Sequence, residues 1–351
     1  MFGFIKPKSY LGIDIGSGGI KLVELRQEKK RPVLFSYGLA AAKQDIHKLQ
    51  TKTDKTVANL LHQEERPQHV AVSDEFSEAK IAAYTETIKN LCKASRITAK
   101  SAVVSLPVSS VFHAVVTLPL VKKEELDHLV KAEVKKLLPL PLEEMALDFQ
   151  VLKGLPQDKN QRVLVNAVPY KLIEFYSKVF AKTGLALEAL EPESTALTRC
   201  LVGRDQAVAM IIDIGSERTN FFIIEQGFPM THQSIESGGD KIDKILQNIL
   251  GVDHELVEQV KYDLFDFLPS SNNTSMSEQK WLDTCMPVID PILKEISLNL
   301  EVYLRQTGNE GKRPEKIILT GGMASMPYLA RYIENSFKIK SARYVSKIAA
   351  S

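Results

Sequence analysis

Cysteine is scarce in this chain: Cys92, Cys200 and Cys285 are far apart, odd in number and outside any Cys-x-x-Cys pair. That spacing excludes a disulfide framework and a thiolate zinc site, and fits reduced thiols. The seven histidines form no His-Glu-x-x-His or similar pattern, so no dedicated transition-metal site is expected. Charge of one sign is lacking too. A formal net charge of +2 gives no electrostatic case for nucleic acid or for an acidic substrate, and the cluster "EKKRP" at 28–32 reads as a solvated turn. No apolar run approaches the roughly 18 residues that a bilayer span needs. The start, "MFGFIKPKSYLGIDIG", has neither the h-region nor the cleavage site of a secretory signal. A cytoplasmic protein without direct membrane insertion is the expectation.

What is present is an internal repeat. "LGIDIGSGGIKLVEL" at 11–25 and "AMIIDIGSERTNFFII" at 209–224 share the core Ile-Asp-Ile-Gly-Ser between apolar stretches. Such a repeat implies two halves built on one plan, each presenting an aspartate and a turn of backbone N–H groups at a strand end. Two such turns facing each other could clamp a phosphate chain and its metal ion. The residues after the glycines keep strand character, which makes the first turn a hairpin. Walker and dinucleotide loops, which run from a strand into a helix, are thereby disfavoured.

The rest of the chain alternates strands with helices, as expected of an α/β protein. Strands are predicted at "YLGIDIG", "IKLVELRQ", "PVLFSYGLA", "HVAVS", "SAVVSLP", "RVLVNAVP", "LALEALEP" and "KIILTGG". A helix is expected within 43–67, and others at "SEAKIAAYTETIKNLCKAS" and at "YKLIEFYSKVFAKTG", closed by Gly184. An amphipathic helix from Lys122 to Leu138 puts Leu126, Leu129, Val130, Val134, Leu137 and Leu138 on one face, and Pro139 and Pro141 stop it. "SSNNTSMSEQ" at 270–279 reads as a surface loop, followed by a long helix, "PILKEISLNLEVYLRQTG".

Three strand-end turns then fall in order: Asp14–Lys21, Asp213–Asn220, and Gly321–Gly322 after "KIILT", with "EPESTALTR" before the second and "SGGDKI" after it. The ordered set resembles the nucleotide-binding motifs of the actin, Hsp70 and FtsA superfamily over nearly the whole chain. Within it, "VVTLPLVKKEELDHLVKAEVKKLLPLPLEEMALDFQVL", and "GGDKIDKIL" followed by "VEQVK", are similar to the PilM family of type IV pilus assembly proteins. The resemblance implies an actin-like (ribonuclease H-like) two-lobed fold with an FtsA-type inserted subdomain. The implied domains are a first lobe core of 1–107 and 185–205, an insert of 108–184, a second lobe core of 206–240 and 312–351, and a helical part of 241–311.

The resemblance also implies ATP or ADP with Mg²⁺. Gly16, Ser17, Gly18 and Gly19 would offer N–H groups to phosphate as an anion nest, with Lys21 in reach of the β- and γ-phosphates. Asp14 and Asp213 would hold Mg²⁺ through its waters. Gly215, Ser216 and Thr219 belong to the second phosphate turn. Glu191, at the connecting position, is the candidate catalytic carboxylate. Gly238 and Gly239 would let backbone approach the β-phosphate and ribose, Glu258 and Lys261 would touch ribose and adenine, and Gly321 and Gly322 would face the base. The partner implied is a PilN-like inner-membrane protein, bound through its short cytoplasmic N-terminus in a groove between the insert and the first lobe. That places the chain peripheral to the inner membrane. Contact with secretion ATPases and self-association are further implied interactions, and hydrolysis is expected to be slow at most.

An alternative function is a small-molecule kinase of the same superfamily, but the 108–184 insert offers amphipathic and apolar surface instead of a sugar pocket. Two departures stand out. Glu217 and Arg218 in "DIGSERTN" either crowd the triphosphate or point to solvent. The closing "YVSKIAAS" comes earlier than the family's usual last strand and helix.

Overall fold

The computed structural model describes residues 8–29, 31–41, 76–152, 160–251, 253, 256–257, 278–306, 308–326 and 329–343. The chain divides into two compact units, Met1–Glu193 and Ser194–Ser351, an earlier boundary than the 205/206 junction read from the sequence.

In the first unit, β1 (Ser9–Gly16), β2 (Gly19–Glu28) and β3 (Arg31–Ala40) form an antiparallel meander. Alternation decides its facing. Leu11, Ile13, Ile15, Ile20 and Leu22 are buried, which leaves Gly12, Asp14, Gly16 and Lys21 on the opposite face. Helix α1 (Glu78–Ala94) starts at Ser77, whose side chain accepts from the Lys80 N–H. Strand β4 (Ser101–Leu106) then pairs parallel to β1.

Next comes a separate three-stranded sheet made of β5 (Phe112–Pro119), β6 (Met145–Val151) and β7 (Asn160–Pro169), in the order β5-β7-β6. Helix α2 (Lys123–Val134) covers it, with Leu126, Val130 and Val134 packed against Val116, Leu118, Val163 and Val165. Leu129 and Leu138 border this cluster, as the stripe predicts, but Leu137 is half exposed. The helix ends at Val134, before its two prolines, and the tighter bond from the Leu137 N–H to Val134 O turns the last residues off the stripe.

Helix α3 (Tyr170–Thr183) returns to the first sheet and ends at Gly184 in the left-handed region. Its Phe175, Tyr176, Val179 and Phe180 join Ile81, Tyr84 and Ile88 of α1 in the main core, and the Tyr84 and Phe175 rings meet edge to face at 5.5 Å. Helix α3, expected within the 108–184 stretch, thus packs in the core of the first sheet. Strand β8 (Ala186–Pro192) adds parallel to β4, completing the order β3-β2-β1-β4-β8.

A short helix, Glu193–Leu197, spans the boundary at 193/194 and is continued by a π turn, Thr198–Val202. Strands β9 (Ala209–Ile214), β10 (Thr219–Glu225), β11 (Phe228–Pro229) and β12 (Gln233–Ile235) follow, then α4 (Gly239–Leu250) and α5 (Glu278–Leu304). After them come β13 (Lys316–Thr320), α6 (Leu329–Phe337) and β14 (Lys340–Arg343). The sheet order is β11-β10-β9-β13-β14, with β12 also on β10.

An antiparallel hairpin with two parallel strands beyond its first member is the plan of both units. The repeat read in the sequence is a repeat of topology. Strand β14 pairs parallel to β13 as the outer strand of this sheet. Helix α5 begins at Glu278, inside the stretch read as a loop, and carries Pro287 and Pro291 in its interior. Each proline removes one helical hydrogen bond. Burial of Cys285, Val288, Ile289, Ile292, Ile296 and Tyr303 along one face offsets that loss. The helix expected within 43–67 and the strand at "HVAVS" lie outside the described residues.

Candidate functional site

In the first unit, strand register puts chemistry in a row. Lys21 on β2 faces Asp14 on β1, and Ser105 on β4 faces Glu191 on β8. Side chains that neighbour across strands share a face, and hydrogen bonds join the two pairs. Lys21 Nζ donates to Asp14 Oδ2 at 3.1 Å, and Ser105 Oγ donates to Asp14 Oδ1 at 2.7 Å. Both carboxylate oxygens are thus held. All four groups stand at the C-terminal ends of β1, β4 and β8 or beside them, the edge where parallel sheets take ligands. Ser105 was not among the residues read from the sequence. A lone strand serine carries no mark until register sets it beside the aspartate.

The turn between β1 and β2 is the predicted hairpin, with Ser17–Gly18 between the paired Gly16 and Gly19. Two of its glycines have different reasons. Gly19 has φ +128, and a Cβ there would stand 2.2 Å from Ala40 O, so the end of β3 requires its absence. At Gly16 a Cβ would meet Asp14 Oδ2 at 3.7 Å and Lys21 Nζ at 3.9 Å. The missing methyl leaves room beside the joined carboxylate and ammonium. Beneath them, Tyr176 is fully buried. Burial first, then the neighbouring Asp14, Tyr84 and Glu193, push its hydroxyl far above the ordinary tyrosine range, so it stays neutral.

The second unit repeats the row with other side chains. Across β12, β10, β9 and β13 stand Ser234, Asn220, Asp213 and Thr320. Asn220 takes the hairpin position of Lys21 and donates Nδ2–H to Asp213 Oδ2 at 3.3 Å. The turn Gly215–Arg218 is closed by the Gly215 N–H donating to Arg218 O at 2.9 Å. Arg218 neither crowds this turn's mouth nor points to solvent. Its side chain is 11% exposed and lies back along β12, donating to Glu236 Oε1 at 2.9 Å and to Ser234 Oγ at 3.4 Å. Glu217 is exposed.

Helix α4 docks its N-terminus onto the same turn. The Gly239 N–H donates to Gly215 O at 3.0 Å and the Asp240 N–H to Ser216 O at 2.8 Å. A Cβ at Gly238 would lie 2.5 Å from Ser216 O. The close approach that Gly238 and Gly239 permit is therefore an approach of helix to turn. Thr219, expected among the ligand-binding residues, is instead fully buried and gives its hydroxyl to Ser237 O. Gly321 passes over the opposite side of the turn, and Gly322 faces open space. The structure thus brings Gly215, Ser216, Gly238, Gly239 and Gly321 around Asp213, while Glu258 and Lys261 lie outside the described residues.

The geometry can now be set beside known proteins. A solved structure described as a PilM-PilN type IV pilus biogenesis complex superposes with a TM-score of 0.69 at 20% identity, covering 96% of this chain and 90% of that one. MreB5 of Spiroplasma citri, solved with AMPPNP bound, superposes with a TM-score of 0.51 at 14% identity over 96% and 91%. Both share the actin-like fold. Among curated proteins, the cell division protein FtsA of Enterococcus faecalis (strain ATCC 700802 / V583) is 27% identical over 192 residues, which is 50% of this chain and 43% of FtsA. The chain thus spans less than half of that relative's length. The model of the family "Type IV pilus assembly protein PilM" matches residues 64–344, most of the sequence. This chain, an actin-like fold with the same strand-end row built twice, belongs to the PilM family of type IV pilus assembly proteins.

Proposed function

We propose that the chain is a cytoplasmic Mg²⁺·ATP-binding member of the pilus assembly machinery that takes up the cytoplasmic N-terminal peptide of a PilN-like membrane protein. The observation that carries the nucleotide reading is the duplicated row: an aspartate held at the end of the first strand of each sheet, beside a hairpin turn. The donor set fits the ligand. Lys21 supplies the positive charge for phosphate, Gly16 leaves room beside it, and Gly322 borders open space. Among the described residues no cluster of three His, Cys, Asp or Glu side chains could cage a metal. A Mg²⁺ ion here would take its other ligands from phosphate and water, as magnesium commonly does. Asp14 and Asp213 would each hold one of those waters.

Bound Mg²⁺ would neutralise phosphate charge, and Glu191, next to Ser105 in register, would orient a water. One carboxylate without an added cationic finger gives slow turnover at most. The nucleotide-bound MreB5 shares the fold and supports this reading.

The partner contact is assigned to the insert. The apolar stripe of α2 is used in packing on its own sheet, so the anchors for a peptide are the exposed Leu120, Leu137 and Leu140. The likeness to a protein solved with PilN supports that choice. No described helix is long and apolar enough to cross a membrane, and the partner would supply attachment. Calorimetry of the full chain with ATP, with and without Mg²⁺, tests the site. Asp14→Asn and Asp213→Asn should each weaken the Mg²⁺-dependent part by about tenfold or more, on the scale of one charge-assisted contact. Unchanged Mg²⁺·ATP affinity in both variants would end the reading.

A further inference from the structure

We infer that Arg218, Ser234 and Asn220 form a one-way hydrogen-bond relay that fixes the Asp213 carboxylate for metal binding, so that all three are positioning residues. The inference rests on the Mg²⁺·ATP reading above and adds to it how the second unit orients its own aspartate.

The chain of contacts is continuous. Glu236 Oε1 accepts from Arg218 Nη2 at 2.9 Å, and Arg218 Nη1 donates to Ser234 Oγ at 3.4 Å. Ser234 Oγ donates to Asn220 Oδ1 at 2.8 Å, and Asn220 Nδ2 donates to Asp213 Oδ2 at 3.3 Å. Its direction follows from the chemistry of its ends. A guanidinium only donates and an ionised carboxylate only accepts, whereas a hydroxyl and a primary amide can each do both. Arg218 occupies a lone pair of Ser234, so the single Ser234 proton turns to Asn220 Oδ1. With its oxygen engaged, Asn220 presents its NH₂ to Asp213. A flipped amide would set oxygen against the carboxylate.

Asn220 is 8% exposed, and Arg218 is 11% exposed with Glu236 beside it. The inner part of the relay, from Ser234 through Asn220 to Asp213, is therefore partly sheltered from water, where hydrogen bonds hold orientation better than at the exposed Glu236 end. The strands impose the row, since Ser234 pairs with Asn220 and Asn220 with Asp213. The first unit is arranged differently. There Lys21 contacts Asp14 directly, and the β3 residue paired with Lys21 is the exposed Leu39. The second unit thus orients its aspartate with a neutral amide and keeps the cation two side chains further back, behind Asn220 and Ser234.

The test compares wild type with Ser234→Ala, Ser234→Thr and Arg218→Lys as full chains. Two readings are taken: relaxation of the Asn220 side-chain amide by NMR without nucleotide, and Mg²⁺ titrations of ATP binding by calorimetry. Ser234→Ala should mobilise the Asn220 amide and cut the Mg²⁺-dependent gain in ATP affinity about five- to tenfold. Affinity measured with a chelator present should hold within about twofold. Ser234→Thr, which keeps the hydroxyl, should restore both readings, and Arg218→Lys, which loses the fork, should fall between. Wild-type Mg²⁺ dependence retained in Ser234→Ala with a rigid amide would overturn the relay and leave the nucleotide reading standing. Wild type that binds no Mg²⁺·ATP would overturn both.

Discussion

Gly321 can be tested against its neighbour Gly322. Gly321 has φ 86 and ψ 170, a region essentially reserved for glycine, which costs another residue about 1–3 kcal/mol. A Cβ there would stand 2.4 Å from Ile214 O and 2.7 Å from Asp213 Oδ1. Neither atom is the end of a flexible chain: one is sheet backbone, and the other is the carboxylate of the proposed site. Relieving that overlap should add about 1–2 kcal/mol, the scale of overpacking in a fitted interior. Gly321→Ala should therefore destabilise the second unit by about 2–5 kcal/mol, which for a unit of this size lowers the melting temperature by roughly 5–15 °C. Gly322→Ala meets nothing within 4 Å and should stay within about 0.5 kcal/mol of wild type. Thermal unfolding of the three proteins, with Mg²⁺·ATP affinity measured well below the transition, separates the effects. A Gly321→Ala melt within 2 °C of wild type, or a Gly322→Ala loss of the same size, would refute the reasoning.

Lys21→Met should leave stability within about 1 kcal/mol, because its ion pair with Asp14 is solvent-exposed. It should nevertheless weaken ATP binding about tenfold or more, and equal affinity by calorimetry would remove Lys21 from the site. Glu24 is fully buried: its desolvation raises its pKa, but bonds from the Thr98 hydroxyl and N–H and from Ser9 outweigh that and hold the carboxyl below its usual 4.5. Since the unfolded chain then binds the proton more readily, stability rises with pH across this range. The contribution is complete above pH 4.5 and lost as pH falls through the lower folded value. Glu24→Gln should cost about 1.5–3 kcal/mol in urea unfolding near neutral pH, with the gap to wild type closing below pH 4.5; a constant gap would contradict the assignment. Leu137→Asp with Leu140→Asp should abolish binding of a PilN-like N-terminal peptide and spare Mg²⁺·ATP binding, and peptide binding kept at wild-type strength would move the partner off the insert.

What the sequence reveals follows where its information is local. The hairpins at Asp14 and Asp213 are legible because apolar alternation breaks at the same five residues twice, and the covered stripe of α2 is legible from its helical period. The start of α5 is not, since Pro287 and Pro291 argue locally for a break and only burial against β10 overrules them. The placement of α3 is hidden for a related reason. The period of α3 shows an apolar face without saying which sheet that face covers, and Phe175 and Tyr176 settle it by packing with α1.

The site divides along the same line. Asp14, Lys21 and Asp213 stand out by their place beside a repeated turn. Ser105 and Ser234 are ordinary strand serines whose meaning comes only from the residues that pairing sets beside them. Arg218 shows the difference most sharply. From the turn alone it is a bulky cation at the mouth of a phosphate loop, whereas Ser234 of β12 and Glu236 just after that strand draw the guanidinium aside. The duplicated hairpins have therefore kept one backbone plan while exchanging the partner of the aspartate. An ammonium on an exposed side chain stands beside Asp14, suited to meet a phosphate, and a buried amide stands beside Asp213, suited to hold a carboxylate still.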